Sequence, residues 1–258
     1  MTLASASYLN APSNFRLAWG TELDASDSTP KESPGSVRTV VDPVFGYRQF
    51  EYVQFSYAAA AGEWVSKVGV VALASAASGT TTSVTTTGLT ANAYQYGLLR
   101  CKDDAGAAGA APEGEIARII ENSTTVIYVN AADAFSVAPA VGDAFDIILP
   151  HRVEQMTSGD MAVDVRGVSM VTQTTDYWGW AQFYGLCPIA KVVAAGTVVT
   201  GPKGVIAGST GLATVSSTSA ESAMIGFLPT TSIATDQVLR TGLIHIACSH
   251  AKACAVTA

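Results

Sequence analysis

The sequence predicts a mainly β protein: an extended N-terminal arm over residues 1–45, then two small barrel- or sandwich-like domains at 46–155 and 156–258. Three observations lead there. Short runs rich in β-branched and aromatic residues alternate with period two. Clusters of Gly, Ser, Asn and Asp separate those runs at short spacing. No apolar period of 3.6 residues is sustained, so no long amphipathic helix is expected.

The arm is punctuated by Pro12, Pro30, Pro34 and Pro43, and Asp24 to Pro30 is a turn cluster. Its large apolar residues, Tyr8, Leu9, Phe15, Leu17 and Trp19, are anchors for a strap that orders on a neighbour. From Arg48 the alternation becomes strict, and Phe50 and Tyr52 fall at strand spacing. Trp64 to Val71 continues in β-branched material after a break at Ala58–Gly62. Thr80 to Leu89 is Thr-rich and expected as a strand, since Thr is a poor helix former. Tyr94 to Cys101, Ile116 to Ile120, Val126 to Val129 and Ala144 to Leu149 follow as strands. Asn122 to Thr125 is the hairpin connection, Asp133 to Ala140 a short helical turn, and Pro150 a stop.

The second half repeats the style without repeating the sequence. Val163 to Val171 is a strand pair or one bulged strand. Tyr177 to Pro188 is the densest aromatic stretch, and on a strand Trp178 and Trp180 share a face opposite Tyr177 and Phe183. One face belongs to the core, and the other serves as an interface hot spot or a sugar platform; the competing reading, and the commonest fate of such residues, is core packing alone. Val192–Val193, Thr197–Val199, Gly204–Ile206, Leu212–Val215, Met224–Leu228 and Val238–Cys248 complete the strands.

Composition narrows the function. Apolar residues make up 48% of the chain and charged residues 14%, which excludes disorder. Lys plus Arg is 14 against 21 Asp plus Glu, a net charge of −7 that disfavours binding to phosphate backbones. No nucleic-acid partner is expected. The surface is left to Ala, Ser, Thr and Gly, which lose little rotamer freedom on docking to other proteins. The first residues have neither a basic n-region nor a sustained apolar run, and the most apolar stretch, Val68–Ala77, falls short of the about 20 residues of a membrane span. A reducing cytoplasm is the expected place of folding, with no membrane partner. Four cysteines in 258 residues do not make a disulfide framework.

Enzyme signatures are missing. There is no Gly-x-Gly, Gly-Lys, His-Glu-x-x-His or Gly-x-Ser-x-Gly. The residual metal candidate is His245, Cys248, His250 and Cys254, the right ligand types for zinc at an irregular spacing; the competing reading is a last strand and a tail with ordinary thiols. The carboxylate pairs Asp143/Asp146 and Asp160/Asp164 are better explained as turn chemistry than as acid–base pairs. No catalytic residue and no cofactor is expected.

The order of these features resembles that of head decoration (cement) proteins of tailed bacteriophages, particularly a group common among marine and cyanobacterial phages. The pieces that carry the resemblance are Phe50–Phe55, Thr80–Leu89, Ala91–Gly106, Ile116–Ile120 and Gly142-Asp143, then Tyr177–Pro188, Ala195–Val199, Gly211–Ala213 and Met224–Phe227. They span about residues 45–246. The resemblance implies a non-enzymatic virion protein on the outer capsid surface, often a homotrimer, whose partners are the major capsid protein and itself. The arm then straps onto capsid or neighbouring subunits. The alternatives are a carbohydrate-binding or host-adhesion module using Trp178 and Trp180, or another head or tail structural subunit.

Overall fold

The computed structural model describes residues 26–42, 46–73, 78–106, 111–158, 164–193, 203–208, 210–215, 224–228 and 240–247, with residues 23, 109 and 160. Among these the protein is mainly β, without an α-helix. The chain begins with β1 (Val37–Asp42), β2 (Gly46–Phe55) and β3 (Trp64–Lys67). It continues through β4 (Val71–Ala72), β5 (Ser78–Thr80), β6 (Ser83–Thr85), β7 (Leu98–Asp103), β8 (Ile116–Asn122), β9 (Val126–Val129) and β10 (Ala144–Ile148). It closes with β11 (Arg152–Gln155), β12 (Val165–Ser169), β13 (Trp178–Val193), β14 (Lys203–Ala207), β15 (Ala213–Val215), β16 (Met224–Leu228) and β17 (Arg240–Ala247).

Two compact units form, and they are not consecutive. Residues 67–152 are an insertion, and residues 1–66 with 153–258 make the other unit. The exit from the insertion lies close to the expected division near residue 155. Its entry after Ser66 does not follow the expectation: residues 46–66 belong with the C-terminal half, not with 67–152. The reason is pairing. Strand β2 runs antiparallel to β13, from Trp178↔Gln54 to Tyr184↔Gln49, and β3 pairs with β12. The arm is corrected as well, because Val37–Asp42 is a strand in continuous register with β2 and Asp27 bridges Trp178.

In the larger unit, β2, β11, β3, β12 and β13 pair in a closed ring of five. A second ring of five runs β13, β15, β14, β16 and β17, and β13 serves both. Closure removes the open edges that make isolated sheets prone to association. The register of β13 shifts between Gln182 and Tyr184, where it passes from one ring toward the other. Gly185 sits there at φ +94, and a Cβ on it would run into the Tyr47 carbonyl. Only glycine meets both demands without strain.

Alternation along β2 builds two cores. Val53 and Phe55 join Ala59, Val65, Val153 and Ala181 in one buried cluster. Phe50 and Tyr52 join Val40, Met170, Trp178 and Trp180 in the other. From Phe50 onward both faces of β2 are buried, as expected of a strand central to its unit.

The insertion is one antiparallel sheet in the order β4-β10-β7-β8-β9-β6-β5. Its core takes Val84, Leu99, Ile119, Ile127, Phe145 and Ile147 from successive strands, and Phe135 closes edge-on over Phe145 at 5.7 Å. The Thr-rich stretch divides into β5 and β6 instead of forming one strand, since Thr80 Oγ1 and Ser83 Oγ meet at 2.8 Å across the turn. The helical turn expected over Asp133–Ala140 does not form; a 3-10 turn at Ala131–Asp133, capped by Asn130, precedes that stretch instead.

Candidate functional site

The most elaborated side-chain arrangement among the described residues is the aromatic face of β2 and β13, together with the segment that covers it. Strand register places Trp180 opposite Tyr52 and Trp178 opposite Gln54. The Tyr52 ring stacks on Trp178 (5.9 Å, 22°) and tilts against Trp180 (5.1 Å, 54°). Burial follows from what lies above them. The Asp27 N–H donates to the Trp178 carbonyl at 2.9 Å, and the Trp178 N–H donates back at 2.7 Å. The Tyr52 hydroxyl donates to Asp27 Oδ2 at 3.4 Å and accepts from the Lys31 N–H at 3.2 Å. Lys31 Nζ lies 2.7 Å from Asp27 Oδ1, so the buried carboxylate is neutralised by a partly exposed ammonium. Arg38 stacks over Trp180 at 4.7 Å while pairing with Glu32 at 2.5 Å.

This arrangement corrects two expectations. Trp178 (4% exposed) and Trp180 (0%) are core residues, covered by residues 27–38 of their own chain. A docking anchor or sugar platform needs an exposed ring face, and neither indole offers one. The described part of the arm is a strap in cis. Tyr8, Leu9, Phe15, Leu17 and Trp19 lie outside the described residues. Of the Cys/His set, His245 stands on β17, and Cys248, His250 and Cys254 lie outside the described residues. Among the described residues no group of three or more His, Cys, Asp or Glu is placed to hold a metal ion.

Three of the four paired carboxylates, Asp143, Asp146 and Asp160, hold local structure. Asp143 is buried and accepts from the Ala105 N–H at 3.1 Å and the Ala140 N–H at 2.8 Å. Asp146 pairs with Arg100, its cross-strand neighbour, at 2.5 Å. Asp160 accepts from the Ser66 hydroxyl at 2.5 Å and the Thr157 N–H at 2.7 Å. Both described thiols are free and buried. Burial pushes Cys101 up to about 11, helped by the Asp143 charge, and burial pushes Cys187 up to about 11. Near neutral pH each remains protonated, a poor nucleophile and a poor metal ligand.

One polar junction had no sequence signal. Glu63 Oε2 accepts from the Ala60 N–H at 3.1 Å, and its Oε1 lies 3.7 Å from Lys191 Nζ. Trp64 Nε1 donates to the Lys191 carbonyl at 3.0 Å. Burial, followed by the charge of Glu63, raises the pKa of the neighbouring Tyr57 hydroxyl well above its ordinary value. The partners are 127 residues apart, too far for any local pattern to join them. These contacts tie strands and loops of one unit together. Among the described residues no helix is long and apolar enough to cross a membrane. No family model, no curated protein and no solved structure matches the chain.

Proposed function

We propose that the chain is a non-enzymatic structural protein of a phage virion, assembled in the host cytoplasm. In this reading it binds the outer surface of an icosahedral capsid and cements neighbouring capsomers against internal DNA pressure. Its partners are the major capsid protein and further copies of itself, arranged as a homotrimer. One observation carries the reading: segments that resemble head decoration proteins are framework here. Phe50–Phe55 and Trp178–Pro188 fall in the two longest strands of the larger unit, and Ile116–Ile120 falls in a strand of the insertion. A chain whose characteristic residues are spent on scaffold is suited to presenting a surface. The chain carries few charges, and a surface of small side chains favours docking at low entropic cost. Cementing is multivalent, so modest contacts at each site combine into strong retention.

The test uses capsids stripped of this chain. Purified protein added back should bind saturably, at a simple fraction of the major capsid protein by quantitative mass spectrometry, and should raise the temperature at which the particles rupture. Absence of the chain from virions, or unchanged rupture after saturation, would refute the proposal.

A further inference from the structure

In the larger unit, β1 is the one strand among the described residues that belongs to neither closed ring. Its six residues pair with β2 in unbroken register, with no bulge to blunt the outer edge. The direction of its backbone groups follows from the alternation of an antiparallel ladder. Just before the strand, the Ser36 carbonyl accepts from the Tyr52 N–H at 2.9 Å. Residues 38, 40 and 42 therefore exchange their bonds with β2, and the N–H and C=O groups of Val37, Thr39 and Val41 point away from it. Among the described residues nothing pairs with those outward groups. The side chains at the same positions are also uncovered: Val37 is 49% exposed, Val41 is 77% exposed, and Thr39 is exposed. Native edges are usually protected by proline, lysine, a bulge or a covering loop. Within Val37–Asp42 there is no proline and no lysine.

We infer that β1 pairs antiparallel with β1 of a second copy, about a two-fold axis through Thr39. A two-fold axis perpendicular to the sheet must keep facing residues on one side, so it passes through a residue and not between two. Centring on Thr39 sets Val37 opposite Val41 of the second copy and Thr39 opposite Thr39. All three outward positions of each strand are then used, giving about six new hydrogen bonds. Centring on Val40 would bring Pro43, which lacks an N–H, into the ladder. Centring on Arg38 would require Gly35, whose N–H is already held by the Tyr52 carbonyl at 2.8 Å.

The side chains fit the Thr39 register. The exposed valines cover one another, and the threonine pair is a favourable cross-strand match. No like charges stand directly opposite: Arg38 faces Val40, and Asp42 faces Ser36. Arg38 is already neutralised by Glu32, and it lies diagonal to Asp42 of the second copy. This contact needs no capsid and stands apart from the cementing role. In an assembly of trimers it would join one trimer to the next.

Thr39→Cys tests the register in the full chain. Mild oxidation should give a linked pair on a non-reducing gel, and mass spectrometry should identify a disulfide that joins the substituted position of one copy to the same position of the other. Val137→Cys, an exposed position on the insertion, should give none. Thr39→Pro removes an outward N–H and the Thr39 side chain without touching a bond to β2, so tryptophan emission should be unchanged while the mass in solution falls to that of the assembly without this contact. Should the proline variant lose its fold, Val41→Lys at the more exposed position gives the same reading. A wild-type chain that sediments singly at high micromolar concentration would overturn the proposal. So would a Thr39→Cys thiol that links only to another cysteine of its own chain, or a Val41→Lys mass equal to that of wild type.

Discussion

Tyr52 holds the covered aromatic face together more directly than either tryptophan does. Its ring touches both indoles, and its hydroxyl reaches the strap through Asp27 and Lys31. Tyr52→Phe keeps the rings and removes only the hydroxyl, so it should cost about 1 kcal/mol in denaturant unfolding. Trp180→Ala removes a fully buried indole and should cost about 3–5 kcal/mol. Asp27→Ala should cost about 1–3 kcal/mol and shift tryptophan emission to the red, because the strap over Trp178 loosens. Unchanged emission would mean that the aromatic face is covered by something other than the strap. The thiols set a pH dependence. Folded Cys101 and Cys187 titrate at about 11, above the ordinary 9.0, so the unfolded chain ionises first as pH rises. Their contribution is fully present below pH 9.0 and is lost between there and about 11. Melting temperature should therefore fall over that window. In the Cys101→Ala/Cys187→Ala protein the fall should be shallower, whatever the starting temperature.

Strands were legible in the sequence where alternation was strict and both neighbours were turns. Ile116–Ile120, Val126–Val129 and Met224–Leu228 all lie within strands, because period-two patterning and local turn chemistry act within a few residues. Pairing was not legible. Residues 46–66 join the C-terminal half because β2 fits β13, and the bridge between Asp27 and Trp178 spans some 150 residues. The Thr-rich stretch misled for the opposite reason: Thr has high strand propensity, yet its hydroxyls also bond locally and close a turn. At the candidate site, aromatic composition marked the important strand but could not say what covers it. The crossing of β13 between rings concentrates the backbone constraint at Gly185. Gly185→Val adds both a positive-φ penalty and a clash with the Tyr47 carbonyl, so it should destabilise the chain by about 2–4 kcal/mol. Gly46→Ala also sits at positive φ but meets no atom within 4 Å, and should cost about 1 kcal/mol. Equal effects in thermal denaturation would show that close approach adds nothing at Gly185.

At the scale of the whole molecule, each unit has its own buried cluster, and the insertion leaves from β3 and returns in β11, which are hydrogen-bonded neighbours. Joining Ser66 to Val153 through a short Gly-Ser linker should leave a cooperatively folding protein with tryptophan emission still in the blue; a chain that no longer melts cooperatively would show that the units depend on each other. The charge-poor composition leads to a last expectation about docking. Only 14% of residues are charged, and several described charges are already paired internally, as in Arg38–Glu32, Arg100–Asp146 and Arg118–Asp133. Surface ion pairs between partners weaken with salt because the Debye length shortens, whereas apolar burial and strand pairing do not. If capsid binding uses this surface, its apparent Kd should change by less than about threefold between about 0.05 and 0.5 M salt. A rise in Kd of about a hundredfold or more would instead place the contact on charged residues. The acidic net charge makes a basic patch on the capsid the natural counterpart in that event.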